Sequence, residues 1–218
     1  MHIKICGITT LEAAQAACDA GADMLGFVFA QSKRKITPEQ AKAIIEKIPA
    51  HVKKTGVFVN EELDIIEETV RTAGLDYVQL HGDESAAFAQ KITVPVIKAF
   101  GIENKSDLNK ASMFETDFYL FDSPKGKYRG GNGTSFDWAV LEENDFPKDK
   151  TILAGGLTPE NVKEAILRVR PVAVDVSSGV ETNGIKDRAK IILFIEEAKL
   201  AFQQLEESDR HGSICTAR

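Results

Sequence analysis

Two residues at the ends of strand-like runs have the chemistry to move protons. Cys6 closes Lys4-Ile5-Cys6 and is followed by Gly7, and Asp122 closes Phe118-Tyr119-Leu120-Phe121-Asp122. A thiol whose pKa is lowered can act as a base near neutrality, and a carboxylic acid that keeps its proton can act as a donor. Each type also has an ordinary structural use. A buried cysteine usually behaves as a small hydrophobe, and an aspartate after a strand often caps the next turn. Two further segments end in small residues: Thr151-Ile152-Leu153-Ala154-Gly155-Gly156 and Val172-Ala173-Val174-Asp175-Val176-Ser177-Ser178-Gly179. Such ends expose backbone N–H groups to an anion. In a parallel (β/α) barrel, phosphate sits at the loops after strands 7 and 8. Gly155, Gly156, Ser177, Ser178 and Gly179 are therefore the candidate phosphate ligands.

Three more polar residues stand near expected strand ends. Arg34, in the run Lys33-Arg34-Lys35, reads as a solvated charge or as a partner for a planar carboxylate, which a guanidinium suits well. His81 follows Gln79-Leu80 and can hydrogen-bond a ligand or satisfy a loop carbonyl. Asp175 either holds the loop after its strand or touches a ligand. Residues 123–135 are long for a connection and contain four glycines with Lys125, Lys127 and Arg129. That composition fits a solvated surface loop or a lid that closes over substrate.

The elements that must position these groups alternate regularly. Strands are expected near 2–6, 23–29, 52–59, 75–80, 95–100, 117–122, 150–154 and 171–176, with helical stretches between them. Runs such as Leu25-Gly26-Phe27-Val28-Phe29 are nearly continuous apolar segments, as in strands covered on both faces. Thr9-x-x-Glu12 and Thr37-x-x-Gln40 fit capping boxes, and Pro38 and Pro159 fit first-turn positions. A last helix is expected over about 185–206, followed by a polar, frayed tail at 207–218. Eight strand–helix units favour a single-domain α/β (β/α)8 TIM barrel over 1–206. An open doubly wound sheet would need a switch point and usually has fewer strands. In a closed ring, strands 6, 7, 8 and 1 are consecutive. The phosphate loops would then lie between Asp122 and Cys6, with an acid on one side of an anchored sugar and a thiol on the other.

Composition narrows the partners. A chain of 218 residues with net charge −6 gives no reason to expect nucleic acid or an anionic membrane surface as partner. Its apolar runs are far too short for a membrane span, and Met1 leads straight into a strand without room for a signal peptide. Cys6, Cys18 and Cys215 are odd in number, widely spaced and without a CxxC pair, which indicates a reducing cytoplasm and no zinc or disulfide framework. No metal or organic cofactor is signalled.

The motif series resembles the phosphoribosylanthranilate isomerase family of tryptophan biosynthesis. It runs in order through Lys4-Ile5-Cys6-Gly7-Ile8-Thr9, Gly26-Phe27-Val28-Phe29 with Ser32-x-Arg34, and Gln79-Leu80-His81-Gly82. It continues through Leu120-Phe121-Asp122, Gly130-Gly131-Asn132-Gly133 with Phe136-Asp137-Trp138, Leu153 to Leu157, and Val174 to Glu181. The match covers about residues 2 to 206. Asn132 stands where the family often has Thr or Ser. The resemblance implies an Amadori rearrangement of N-(5-phosphoribosyl)anthranilate by a cofactor-independent aldose–ketose isomerase, acting on a small phosphorylated substrate as a monomer or homodimer. It implies Asp122 as general acid, Cys6 as general base, Arg34 at the anthranilate carboxylate, and Gly155, Gly156, Ser177, Ser178 and Gly179 at the phosphate. The histidine-pathway enzyme of the same reaction type is expected to have an aspartate where this chain has Cys6. A non-catalytic phosphate-ligand sensor on the same barrel would have no need of Cys6 and Asp122 together.

Overall fold

The computed structural model describes residues 3–123, 138–142 and 146–215. Eight parallel strands close on themselves: β1 (Ile3–Cys6), β2 (Met24–Val28), β3 (Lys53–Phe58), β4 (Tyr77–Leu80), β5 (Val96–Gly101), β6 (Phe118–Asp122), β7 (Thr151–Leu153) and β8 (Ala173–Val176). Each strand pairs with the next, and β8 pairs with β1 through Ile3↔Val174, Lys4↔Asp175 and Ile5↔Val176. Helices α1 (Leu11–Ala20), α2 (Pro38–Ile45), α3 (Leu63–Ala73), α4 (Ala86–Ala89), α5 (Lys105–Ser112), α6 (Ala139–Glu142), α7 (Val162–Val169) and α8 (Arg188–Cys215) follow the strands. The expected (β/α)8 barrel is therefore the observed fold.

Alternation along the strands makes two cores. Met24, Ile97, Ala99, Leu120, Ile152, Ala154 and Ala173 form one buried cluster, the packed barrel interior. Their strand neighbours, among them Ile3, Ile5, Leu25, Phe27 and Phe121, belong to the larger cluster shared with the helices. Residues that continue the inward register beyond the interior cluster must emerge at the C-terminal rim. That register carries Lys4 and Cys6 on β1, Gln79 on β4, Asp122 on β6 and Asp175 on β8.

Three local expectations need correction. The N-cap of α1 is Thr10, not Thr9; it accepts from Ala13 N–H, and with alanine at N3 the expected capping box does not form. The box at Thr37 and Gln40 forms as expected, with Pro38 in the first turn of α2. Helix α7 starts only at Val162, and Pro159 lies in the turn ahead of it. Asn161 holds that turn, accepting from Thr158 N–H and donating to Gly156 O. Finally, α8 continues past 206 to Cys215, where a frayed tail was expected from 207. An Arg170–Asp209 ion pair ties this extension to the end of α7. The possible lid loop, apart from Ser123, lies outside the described residues. Among the described residues, no helix is long and apolar enough to cross a membrane.

Candidate active site

The loops after β7 and β8 meet at backbone distance. A Cβ on Gly179 would stand 1.9 Å from Leu157 O, so only glycine permits this approach. Gly155 and Gly156 both have positive φ, at 80° and 66°, which turns the chain sharply out of β7. A Cβ on Gly155 would lie 2.4 Å from Ser123 N, which packs the β7 loop against the end of β6. One cavity is lined by Asp122, Gly155, Gly156, Asp175, Ser178 and Gly179, together with their immediate neighbours. Among the described residues, none of Gly155, Gly156, Ser178 and Gly179 donates its N–H to a loop or turn carbonyl. The arrangement is a backbone cradle suited to an anion.

On the β1 side, Cys6 is 7% exposed and lies in register with Gly26. A Cβ at Gly26 would come 2.7 Å from Cys6 Sγ, so the bare glycine makes room for the thiol. Gly7 has φ 78°, and a Cβ there would meet Arg34 Cδ at 2.4 Å and Ser177 Oγ at 3.1 Å. Arg34 is therefore laid over the strand end beside Cys6. It is not the solvated charge of a basic run. Its Nε and Nη2 donate to Glu181 Oε1 and Oε2 at 2.6 and 2.8 Å. Lys186 donates to the same Glu181 at 2.6 Å and to Ser177 O at 2.9 Å. Burial would raise the Glu181 carboxyl, but Arg34 and Lys186 hold it below the usual range.

A line of polar groups spans the barrel mouth. Lys4 Nζ donates to Asp175 Oδ1 at 3.0 Å and to Gln79 Oε1 at 2.8 Å. Gln79 Nε2 lies 3.0 Å from His81 Nδ1, and His81 Nε2 lies 3.4 Å from Asp122 Oδ2. Ser123 N–H donates to Asp122 Oδ1 at 2.8 Å. Burial alone would lower the Lys4 ammonium, yet Asp175 and Cys6 keep it above its ordinary value. For Cys6 the balance goes the other way. Burial pushes the thiol up, and the cations Lys4 and Lys186 only partly oppose it, with Asp175 adding to the rise. Cations do stand beside the thiol, but in the ligand-free site desolvation outweighs them.

The description "N-(5'phosphoribosyl)anthranilate (PRA) isomerase" belongs to a family model that matches residues 3–197. The chain belongs to this isomerase family. An N-(5'-phosphoribosyl)anthranilate isomerase of Bacillus cereus is 54% identical over 202 residues, covering 91% of this chain and 98% of the relative. The phosphoribosyl anthranilate isomerase of Thermotoga maritima is 44% identical with TM-score 0.83, covering 91% of this chain and 98% of that one. A further phosphoribosyl anthranilate isomerase structure, in complex with reduced 1-(o-carboxyphenylamino)-1-deoxyribulose 5-phosphate, is 42% identical with TM-score 0.79 and the same coverage.

Within this isomerase-family barrel, every residue singled out in the sequence reaches the same rim. Asp122 and Cys6 flank the glycine and serine cradle, Asp175 and His81 stand at the two ends of the Lys4–Gln79 link, and Arg34 covers the β1 end. Sequence reasoning missed Lys4, Gln79, Ser123, Glu181 and Lys186. Period-two spacing could have found the first two, since Lys4 shares the face of Cys6 and Gln79 that of His81. Lys186 arrives through a small hairpin, Glu181–Thr182 paired with Ile185–Lys186. Its turn, Asn183-Gly184, has φ 54° and 78°, and an Asn-Gly pair is a recognisable hairpin signal.

Proposed function

We propose that this chain catalyses the Amadori rearrangement of N-(5-phosphoribosyl)anthranilate to 1-(2-carboxyphenylamino)-1-deoxyribulose 5-phosphate, an isomerisation step of tryptophan biosynthesis. The observation that carries this reading is the placement of the anion cradle between Asp122 and Cys6. The cradle of Gly155, Gly156, Ser177, Ser178 and Gly179 anchors the 5-phosphate. Asp122 gives its proton to the furanose ring oxygen as the C1–O bond breaks, and the anilino nitrogen lone pair forms the C1=N bond. Cys6 then removes the C2 proton. The C2–H electron pair becomes the C1=C2 bond and the C=N pair returns to nitrogen. Tautomerisation of this enol places a proton on C1 and leaves the ketone at C2. C1 is reduced and C2 oxidised within one molecule, so no electron carrier is needed.

Glu181 occupies Nε and one Nη2 hydrogen of Arg34 and leaves the Nη1 edge for the substrate carboxylate. His81 and Asp175 contact the sugar. A reducing cytoplasm suits Cys6 and Cys18, which are both free thiols. The test is turnover of phosphoribosylanthranilate by the purified chain, followed as loss of anthranilate fluorescence. Cys6→Ser and Asp122→Asn should each lose about 10²-fold or more in kcat and still bind the reduced product analogue. Because burial raises the Cys6 thiol, its base form grows only as pH climbs past the ordinary thiol range, and kcat/KM should rise with it. Near wild-type turnover by both folded variants would refute the assigned roles.

A further inference from the structure

Hydrogen-bond capacity along the barrel mouth determines where the His81 proton sits. An ammonium has donors and no acceptor, so the Gln79 amide must turn its oxygen to Lys4, 2.8 Å away. Its nitrogen then faces His81 Nδ1 at 3.0 Å. An amide nitrogen only donates, so Nδ1 must be the acceptor. The proton of the neutral imidazole is left on Nε2, the nitrogen 3.4 Å from Asp122 Oδ2. Lys4 and Gln79 are each 1% exposed, so water does not compete for these bonds and the amide cannot flip without stranding the ammonium. Lys4 is itself held by Asp175 at 3.0 Å. The orientation is thus set from β8 through β1 to β4.

We propose that Gln79 is a positioning residue for the acid: clamped by Lys4, it holds His81 as the Nε2–H tautomer, so the imidazole cannot take the proton of Asp122. This rests on the reading of Asp122 as the general acid. In the opposite tautomer a lone pair on Nε2 would face the carboxyl group. Imidazole is ordinarily the stronger base, so the proton would pass from Asp122 to His81 and the acid would be spent before the ring oxygen arrived. In the Nε2–H tautomer the only remaining lone pair is on Nδ1. A proton there would oppose the Gln79 N–H, donor against donor, beside an amide that is 1% exposed. The same Nε2–H faces Asp122 Oδ2, while Ser123 N–H donates to Oδ1 at 2.8 Å.

The test reads the tautomer directly. Protein labelled with ¹⁵N-histidine gives long-range ¹H–¹⁵N correlations from its four histidines, and His81→Asn identifies the His81 signals. At about pH 8, above the usual imidazole range, the wild type should carry its proton on Nε2 with Nδ1 unprotonated. In Gln79→Glu a carboxylate accepts from Lys4 and also from the imidazole, so Nδ1 should become protonated. kcat should then fall by about 10-fold or more, with the Kd of the reduced product analogue within about 3-fold of wild type. Gln79→Met, which cannot hold either tautomer, should show mixed signals and an intermediate kcat. A wild-type His81 protonated on Nδ1 overturns the proposal, and that measurement needs no variant to fold. So does a folded Gln79→Glu that protonates Nδ1 at unchanged kcat. A wild-type Nε2–H tautomer in a chain that does not turn over phosphoribosylanthranilate would refute the proposed function instead.

Discussion

Gly26→Ala offers a sharp test of how the barrel makes room for its thiol. The added methyl would stand 2.7 Å from Cys6 Sγ and 3.1 Å from Cys6 Cα. Carbon and sulfur pack no closer than about 3.5 Å without repulsion, so the sulfur must retreat by roughly 1 Å. Little else can yield, because β1 and β2 are in register at this pair and both strands are buried. A misplacement of about 1 Å in a reacting group can cost on the order of 10²-fold in rate, equivalent to about 2.7 kcal/mol. Overpacking should also cost about 1–3 kcal/mol of stability, lowering Tm by roughly 2–4 °C for each kcal/mol in a chain of this size. Fluorescence-monitored turnover and thermal unfolding give the two readouts. A double-mutant cycle isolates the cause. With Cys6→Ala in the background, the sulfur contact is gone, and Gly26→Ala should cost about 1 kcal/mol less stability than it does alone. A folded Gly26→Ala variant with near wild-type kcat, or a cycle that is additive within error, would refute the argument that Gly26 is reserved for the thiol.

Three other outcomes are expected. Gly179→Ala should force the two anion loops apart, because its methyl would lie 1.9 Å from Leu157 O, and titration should show the reduced product analogue binding at least about 10-fold more weakly. Unchanged affinity would move the phosphate elsewhere. Arg34→Ala should lose about 2 kcal/mol in kcat/KM, the low end of the range for a buried charge pair, since the Arg34 side chain is 20% exposed. Unchanged kinetics would leave Arg34 only its Glu181 contact. Glu84 is buried beside Lys98 at 2.8 Å. Burial would raise its carboxyl, but Lys98 and backbone N–H groups bring it below the usual range. The pair's stabilisation is therefore present above the unfolded carboxylate pKa and is lost as pH falls through the lower folded value. Glu84→Gln should cost about 1–3 kcal/mol near neutrality and flatten that acid dependence in urea melts. Equal acid sensitivity in the two proteins would show that this pair is not what acid breaks.

Local pattern was enough for much of this protein. Eight apolar runs separated by helical stretches fix a parallel barrel, because strands buried on both faces must be continuous and their crossovers must be helical. Ring closure then brings strands 6, 7, 8 and 1 together, so Asp122, the two small-residue loops and Cys6 could be grouped before any coordinate was known. Thr37 and Gln40 likewise announced their capping box. Other features depend on contacts between residues far apart in the chain. The direction of the Cys6 shift depends on whether burial or the cations Lys4 and Lys186 prevail, and burial is a property of the closed barrel. The partner of Arg34 is Glu181, 147 residues away, reached only when β1 and β8 pair. Helix α8 runs past its expected end, and Asp209 in that extension meets Arg170, a pairing no local propensity encodes. The line from Asp175 through Lys4, Gln79 and His81 to Asp122 joins strands 8, 1, 4 and 6. No segment by itself encodes this connection, and only the tertiary structure sets the distances at which one donor can decide where the next proton lies.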